Sequence, residues 1–486
     1  MKKLAKKKEV ETEVKDKPLN RLAMMRQLVS EEKKRAIKEK VDIKFGSIHD
    51  FKGASVMHVQ PTGWFAWDML MKGYHSGRIF ELYGGESSGK TSTLLQLIEK
   101  MQMIFPEFVV EYVDAEQTIN IPSIKRYASF DKERFFLMQE NLIEEIFLKI
   151  EEHINAEAVD MIVIDSIGAL QTLNEQEKSL YENVMMEVAR KLSRGCKRLY
   201  TLLPKKQVSV FIINQERMTS KGQFMVKDTM GGAAIKYATS ARIEIKSDIK
   251  TNAKIDADGS VCEVYTSFYT KKCKVAEPYK TTYSFLNVKY DRPYAFNMIE
   301  DVIEAGTRTG VLDQRGSYYY ILDKDGNEVE KFQGRANLFN RLAGDILIYL
   351  TLKFRIYAKM YEGYEFYTLY SKIVDVLNKE YYHTMKNIYN VQDVKPFDII
   401  QLTGLTIDKL ISEENILEGQ KYTSEVLEIE QNYVIPELKQ KSSLLEEETE
   451  ENPLPKIGEF DVIGEVMVNG KMEKYGIGGE IIGEDK

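Results

Sequence analysis

Arg78-Ile79-Phe80-Glu81-Leu82-Tyr83-Gly84-Gly85-Glu86-Ser87-Ser88-Gly89-Lys90-Thr91 is the stretch around which the chain is organised. Its last eight residues read G-x-x-x-x-G-K-T, the phosphate-binding loop pattern. The apolar run before it predicts a buried strand, and Ser92-Thr93-Leu94-Leu95-Gln96-Leu97-Ile98 after it predicts a helix. Strand, glycine-rich loop and helix is the context this chemistry needs. The glycines let backbone N–H groups turn toward a phosphate, and the helix N-terminus adds partial positive charge there. Gly84, Gly85, Glu86, Ser87, Ser88, Gly89, Lys90, Thr91 and Ser92 are the candidate nucleotide-binding residues. Lys90 is placed to reach the β- and γ-phosphates and Thr91 to hold Mg²⁺. A glycine-rich turn matching by chance is the competing reading, and the correct flanks argue against it.

Two further strand ends support the same site. Phe108-Val109-Val110-Glu111-Tyr112-Val113 predicts a strand that runs into Asp114-Ala115-Glu116. Carboxylates just past the carboxyl end of a parallel strand lie in the crevice where such sheets bind ligands. Glu116 is therefore the candidate to activate a water, although most strand-end carboxylates are merely solvated. Met161-Ile162-Val163-Ile164-Asp165-Ser166 is a second buried strand, with Asp165 placed to support Mg²⁺. Val208-Ser209-Val210-Phe211-Ile212-Ile213 is a third, ending in Asn214-Gln215. An amide there can sense a γ-phosphate or simply cap the next loop. Strands alternate with helices through 78–245, which predicts an α/β fold with a mostly parallel central sheet.

The composition fits a globular protein of two or three domains: 486 residues, 43% hydrophobic and 29% charged. No apolar run is long enough to span a bilayer, and the Lys-rich start has no apolar segment behind it to make a secretory signal. Cys196, Cys262 and Cys273 lie far apart without metal-type spacing, so reduced thiols and a cytoplasmic setting are expected. The formal net charge of −7 is unevenly spread, with excess Lys and Arg in 1–40 and a cluster of Glu at 446–451. An acidic total does not exclude nucleic acid, because a local groove can be basic. Leu22, Met25 and Val29 predict an amphipathic helix from Asn20 to about Lys40, packed on its own domain or docked on a neighbouring subunit. A turn at Pro61-Thr62-Gly63-Trp64 precedes a short helix over Phe65 to Met71, and residues 141–155 predict a helix with Leu142, Ile146 and Ile150 on one face.

Taken together, these segments resemble the bacterial and phage RecA recombinase family. The resemblance is carried by Tyr83 to Thr91, Val113-Asp114-Ala115-Glu116, Phe211 to Met218, Gly231-Gly232-Ala233-Ala234-Ile235-Lys236-Tyr237, Lys272 to Lys280 and Gln333-Gly334-Arg335-Ala336-Asn337. They occur in family order between about 75 and 340. The resemblance implies a RecA-like P-loop ATPase core at 46–289, a basic tail and protomer-docking helix at 1–45, and a small α+β C-terminal domain with an aromatic-rich helical extension at 290–440. An acidic, flexible tail at 441–486 completes the expected organisation. It also implies ATP and Mg²⁺ as cofactors, with Lys90, Glu116 and Gln215 catalytic, and Thr91 and Asp165 serving the metal. Lys272 and Lys274 would complete a nucleotide site lying between two protomers; without the resemblance they read as surface charge.

The implied partners are single-stranded DNA, homologous duplex DNA, further copies of the chain in a helical filament, and mediator or single-strand-binding proteins. DNA would lie along the loops that follow the strands 161–166 and 208–215. Arg190, Ser193, Lys197 and Arg217 are the candidate phosphate contacts, Gly231 and Gly232 would offer backbone N–H groups, and Met185 and Phe224 are candidate wedges between bases. The competing and favoured reading of Met185 is the start of a helical core face. The chain departs from the family pattern in three places. Asn174 to Asn183 has no glycine and carries Leu180 and Tyr181, Ala233 replaces a polar amide, and Ser123 stands where an adenine-stacking aromatic is expected. These bear on DNA grip and base recognition, not on phosphate chemistry. The expected activity is a DNA-dependent ATPase driving strand exchange. The alternatives are a ring-forming motor or helicase on the same core, and a non-catalytic DNA-binding scaffold. The aromatics of 345–440 predict a helical core, with base stacking by exposed tyrosines as the alternative, and 457–486 suggests a small hairpin. The divergent length, with Tyr- and Lys-rich extensions, suits a bacteriophage or mobile-element recombinase, expected in the cytoplasm of a bacterial cell or phage-infected host.

Overall fold

The phosphate-binding motif joins the central strand of a large sheet to a long buried helix in the computed structural model. The model describes residues 21–39, 59–119, 124, 126–127, 129–177, 187–221, 224–249, 253–289, 294–323, 326–361, 364–387, 391, 394, 464–468 and 471–475. The chain divides into two compact units, Met1–His58 and Val59–Lys486. The first holds α1 (Arg21–Glu39), which leaves Met25, Leu28 and Ile37 exposed.

The second unit begins with β1 (Val59–Gln60), α2 (Phe65–Met71) and β2 (Tyr74–His75). It continues through β3 (Ile79–Gly84), α3 (Lys90–Ile104), β4 (Val110–Asp114), β5 (Phe135–Met138), α4 (Ile143–Asn155) and β6 (Met161–Asp165). Next come α5 (Leu173–Glu177), α6 (Glu187–Lys206), β7 (Ser209–Lys221), β8 (Phe224–Thr229), α7 (Gly232–Ala238) and β9 (Ala241–Asp248). The order in the main sheet is β10-β11-β9-β3-β7-β6-β4-β5, where β10 is Lys254–Ile255 and β11 is Val261–Cys273. The run from β9 to β5 is parallel, and β11 is antiparallel to β9. Helices cover both faces, so β3 and β6 are buried at every residue. That double coverage is why these strands read as unbroken apolar runs.

One structural difference concerns the segment after β7. The sequence predicts a loop from Glu216 to about Met230, but β7 continues to Lys221 and turns back as β8. The pairing has a physical basis in opposed charges: Arg217 faces Asp228 in register, and Lys227 lies 3.9 Å from Glu216.

The C-terminal part of the second unit follows β12 (Thr281–Asn287). It contains α8 (Met298–Thr309), a three-stranded antiparallel sheet of β13 (Leu312–Arg315), β14 (Tyr318–Leu322) and β15 (Glu328–Gln333), and then α9 (Arg335–Gly344), α10 (Ile346–Met360) and α11 (Tyr364–Asn387). The aromatic extension is core where its side chains are described: Phe354, Tyr357 and Tyr361 are fully buried, and Tyr349 and Tyr370 nearly so. Helix α10 buries residues on most of its circumference because α8, α9 and α11 all pack against it. Val376 of α11 packs on Met103 and Ile104, and the Lys379 ammonium donates to the Ile104 carbonyl at 2.6 Å, capping the end of α3. A hairpin of β16 (Gly464–Val468) and β17 (Lys471–Tyr475) lies within the expected 457–486 segment. The acidic run 446–451 lies outside the described residues.

Candidate functional site

The P-loop is shaped by contacts that leave no room for side chains. A Cβ on Gly84 would lie 2.2 Å from the Ile245 carbonyl oxygen. Gly89, at φ 93°, would put its Cβ 2.9 Å from Leu286. Gly85, Glu86 and Ser87 are exposed at the tip, while Ser88 and Lys90 are buried beneath it. The Lys90 ammonium donates to the Gly85 carbonyl at 2.6 Å. Burial pulls the Lys90 pKa below its ordinary value, against the opposing pull of Asp165, Glu116, Glu86 and Glu216.

Asp165 closes the floor of the site. It accepts from the Thr91 hydroxyl at 2.8 Å and from the Tyr112 hydroxyl at 2.5 Å. Burial raises its pKa, opposed by these two hydrogen bonds. Strand register puts Asp165 beside Asp114, whose fully buried carboxylate accepts from the N–H groups of Thr118 and Ile119, both at 3.0 Å. That turn presents Glu116 outward. Ser166 donates to Glu116, and the Gln215 side-chain amide donates to the same carboxylate at 3.2 Å. Gln215 also pairs in register with Gly84. Lys90, Thr91, Glu116 and Asp165, which follow or end β3, β4 and β6, and Gln215 within β7 thus converge on one crevice.

The donor set fits a nucleotide with Mg²⁺. Mg²⁺ takes hard oxygen ligands, usually one or two protein groups with waters and substrate phosphates making up the rest. The Thr91 hydroxyl and the Asp165 carboxylate are such a pair, already in contact. No group of three or more His, Cys, Asp or Glu side chains is arranged to hold a metal by itself among the described residues.

Two residues matter that sequence reasoning did not single out. Asp114 builds the turn that aims Glu116. Asn214 donates to Glu81 at 2.7 Å and to the Met230 carbonyl at 3.0 Å, and its carbonyl accepts from the N–H groups of Gln215 and Met230. It therefore ties together both ends of the β7–β8 hairpin. Arg242 pairs with Glu81 at 2.5 Å and donates to Thr229 at 2.9 Å, extending this link. The only sequence signal was a polar residue interrupting an apolar strand.

Lys272 and Lys274 do not join this crevice in their own chain. Lys272 pairs in register with Arg242, which pairs with Glu81, three residues before Gly84. Three residues along a strand is about 10 Å. The Lys272 ammonium instead donates to the carbonyls of Lys236 and Thr239, 2.6 and 2.7 Å away at the end of α7. Lys274 is exposed.

Of the candidate DNA contacts, Arg190, Ser193 and Lys197 lie on one stripe of α6, opposite the face that buries Leu192, Cys196, Leu199 and Leu203. Arg194, which sequence reasoning passed over, is exposed on the same stripe. Arg217 is exposed at the base of the hairpin. Gly231 and Gly232 both have positive φ and open α7, and a Cβ on Gly231 would lie 2.3 Å from Ile235. Phe224 falls on β8, with its side chain outside the described residues, as are Met185 and Ser123 entirely.

Comparison with known proteins agrees with this geometry. A family model described as RecA N-terminal domain matches residues 32–292. The chain is 33% identical over 301 residues to the protein named "Protein RecA, plasmid" of Lactococcus lactis subsp. lactis, covering 60% of this chain and 84% of that one. It is 30% identical to Protein RecA of Malacoplasma penetrans, covering 58% of this chain and 81% of the relative. It is 29% identical to Protein RecA of Thermotoga neapolitana, covering 64% and 89%. With the matched region holding the P-loop, Glu116, Asp165, Gln215 and the paired lysines, the chain belongs to the RecA family.

Proposed function

We propose that this chain is an ATP-dependent recombinase that assembles as a helical filament on single-stranded DNA and promotes homologous pairing and strand exchange. The observation that carries this reading is the hydrogen bond from Gln215 to Glu116. It joins the residue suited to activate water to the first residue before the β7–β8 hairpin, so nucleotide state and hairpin position are mechanically linked.

In this mechanism the P-loop N–H groups and Lys90 bind the phosphates of ATP, and Glu116 orients and deprotonates the attacking water. Bound Mg²⁺ would neutralise charge on the phosphate oxygens, held by Thr91 and supported by Asp165. Gln215 exchanges its contact with Glu116 for one with the γ-phosphate and carries the change through Asn214 to Met230 and Gly231. Arg190, Ser193, Arg194, Lys197 and Arg217, with the N–H groups of Gly231 and Gly232, grip the DNA backbone. Base pairing between strands, rather than protein side chains, supplies sequence recognition.

Self-association is supported by two observations. The paired lysines lie away from the chain's own crevice, so a neighbour's site is where they can stabilise transition-state charge. Strand β5 ends the sheet with Phe136 58% and Leu137 45% exposed, an apolar edge suited to a second copy.

The test is ATP hydrolysis by the purified full chain, with and without single-stranded DNA, beside Glu116→Gln. Strong stimulation by DNA is expected. The variant should lose at least about 100-fold in turnover yet still bind DNA when ATP is present. High turnover without DNA would favour a motor on the same core.

A further inference from the structure

The extension helix α11 closes a cavity that the nucleotide chemistry does not use. It has a volume of about 310 Å³ and lies between the second half of α3, the segment 294–299, and helices α9, α10 and α11. Its walls are mostly apolar, with Met103, Met298, Phe339, Leu342 and Ile346 prominent. A volume of this size with apolar walls and a few polar groups is the usual form of a small-molecule site.

The polar groups in the wall are unevenly satisfied. Its two carboxylates are occupied. Glu99 accepts from Gln96 and from the Ser129 N–H, and Glu380 accepts from Lys353 and Tyr349. The cationic and imidazole groups differ. Lys100 is only 8% exposed, and its ammonium makes no hydrogen bond or ion pair with any described residue. Glu380 feels the Lys100 charge at longer range but already pairs with Lys353 at 2.5 Å. His383 Nδ1 is buried without a hydrogen-bond partner among the described residues. Burial lowers the His383 pKa, and the cations Lys100, Lys386, Lys379 and Arg134 lower it further. Arg126 adds its guanidinium to the lining. The Lys100 side chain is packed in this wall, and its ammonium keeps accessible surface without a partner among the described residues. A ligand bearing negative charge gains a charge-assisted hydrogen bond there that a neutral or cationic ligand does not.

We propose that this cavity binds a small amphipathic anion, an apolar body of one or two rings with a carboxylate or phosphate head directed at Lys100 and His383. The site lies on the nucleotide's own helix. Lys100 is on α3 ten residues after Lys90, and Arg126, which lines the cavity, also donates to the Ser92 hydroxyl in the first turn of that helix at 3.2 Å. Cavity and nucleotide therefore share one rigid wall.

The experiment uses the full chain saturated with Mg²⁺ and ADP, so that the P-loop is filled, and titrates 2-naphthoate with 2-naphthamide as its neutral isostere. Binding is read by the ¹³C-methyl signals of Met103 and Met298, assigned through Met103→Leu and Met298→Leu. The expected result is saturable movement of both methyl signals by the acid, with the amide at least about tenfold weaker. Lys100→Met, which keeps the volume, should weaken the acid by a similar factor and leave the amide unchanged. Ala343→Trp, at an exposed position on the cavity lining, should abolish both. Equal binding of acid and amide, an unchanged affinity in Lys100→Met, or movement of other methionines only would overturn the proposal. So would the lack of saturable binding below about 1 mM acid.

Discussion

Asn214 shows how much a single amide can hold. Its four hydrogen bonds reach Glu81 on the P-loop strand, Gln215 beside the crevice, and both polar groups of Met230 at the far end of the hairpin. Asn214→Asp keeps the acceptors but loses both donated bonds and sets a second carboxylate against the buried Glu81. The expected cost in stability is about 1–3 kcal/mol by denaturant unfolding. DNA stimulation of ATP hydrolysis should fall more than the basal rate, because the lesion lies on the link between the two. Asp301 offers a separate test at the same scale. It is fully buried and accepts from the Trp64 indole N–H at 2.9 Å, and burial raises its pKa from the ordinary 3.8 to about 8. The folded protein therefore holds this proton where the unfolded chain releases it, and stability falls as pH rises from about 4 to about 8. Asp301→Asn removes that slope. Its melting temperature should exceed that of the parent by a margin that widens between pH 5 and pH 8, and a constant margin would refute the assignment.

At the scale of elements, the extension is joined to the Gly63 turn and to α2 by a buried polar cluster. Lys353 of α10 is fully buried, donates to the Gly63 carbonyl at 2.7 Å and pairs with Glu380 of α11 at 2.5 Å. Tyr357 donates to Asp68 of α2 at 2.5 Å. Breaking a buried pair leaves an uncompensated charge, so Glu380→Leu alone should cost about 3–5 kcal/mol. The double variant Lys353→Met with Glu380→Leu should regain most of that loss, which a double-mutant cycle in urea measures directly. Much of this level was legible in the sequence. The P-loop, the strands ending in Asp114 and Asp165, the apolar start of β7, the helix Phe65–Met71 and the aromatic core of the extension all follow from local periodicity and turn chemistry. The β7–β8 hairpin did not follow, because its polar residues carry no apolar alternation and its pairing rests on cross-strand partners such as Arg217 and Asp228. The cluster around Lys353 was equally hidden, since Asp68, Lys353 and Glu380 are hundreds of residues apart in part and each reads alone as surface charge.

At the scale of the whole molecule, the register of β11 against β9 and β3 sets the paired lysines about 10 Å along the sheet from the P-loop of their own chain. If Lys274 serves a neighbour's nucleotide, a working site takes Glu116 from one protomer and Lys274 from another. In a head-to-tail assembly every protomer contributes both halves, each to a different interface. Lys274→Ala and Glu116→Gln should then each be nearly inactive in DNA-stimulated hydrolysis. Lys274 is exposed, and its ammonium makes no hydrogen bond or ion pair among the described residues, so its loss should leave the fold intact. Mixing the two variants in equal amounts on single-stranded DNA creates four kinds of interface, and one of them joins an intact Glu116 to an intact Lys274. Random assembly should therefore restore about a quarter of the parent's turnover. If both functions resided in one chain, no mixture would recover activity, because neither variant carries a complete site. Recovery near a quarter that vanishes when assembly is blocked by charges placed at Phe136 and Leu137 would tie the shared site to the apolar edge of β5.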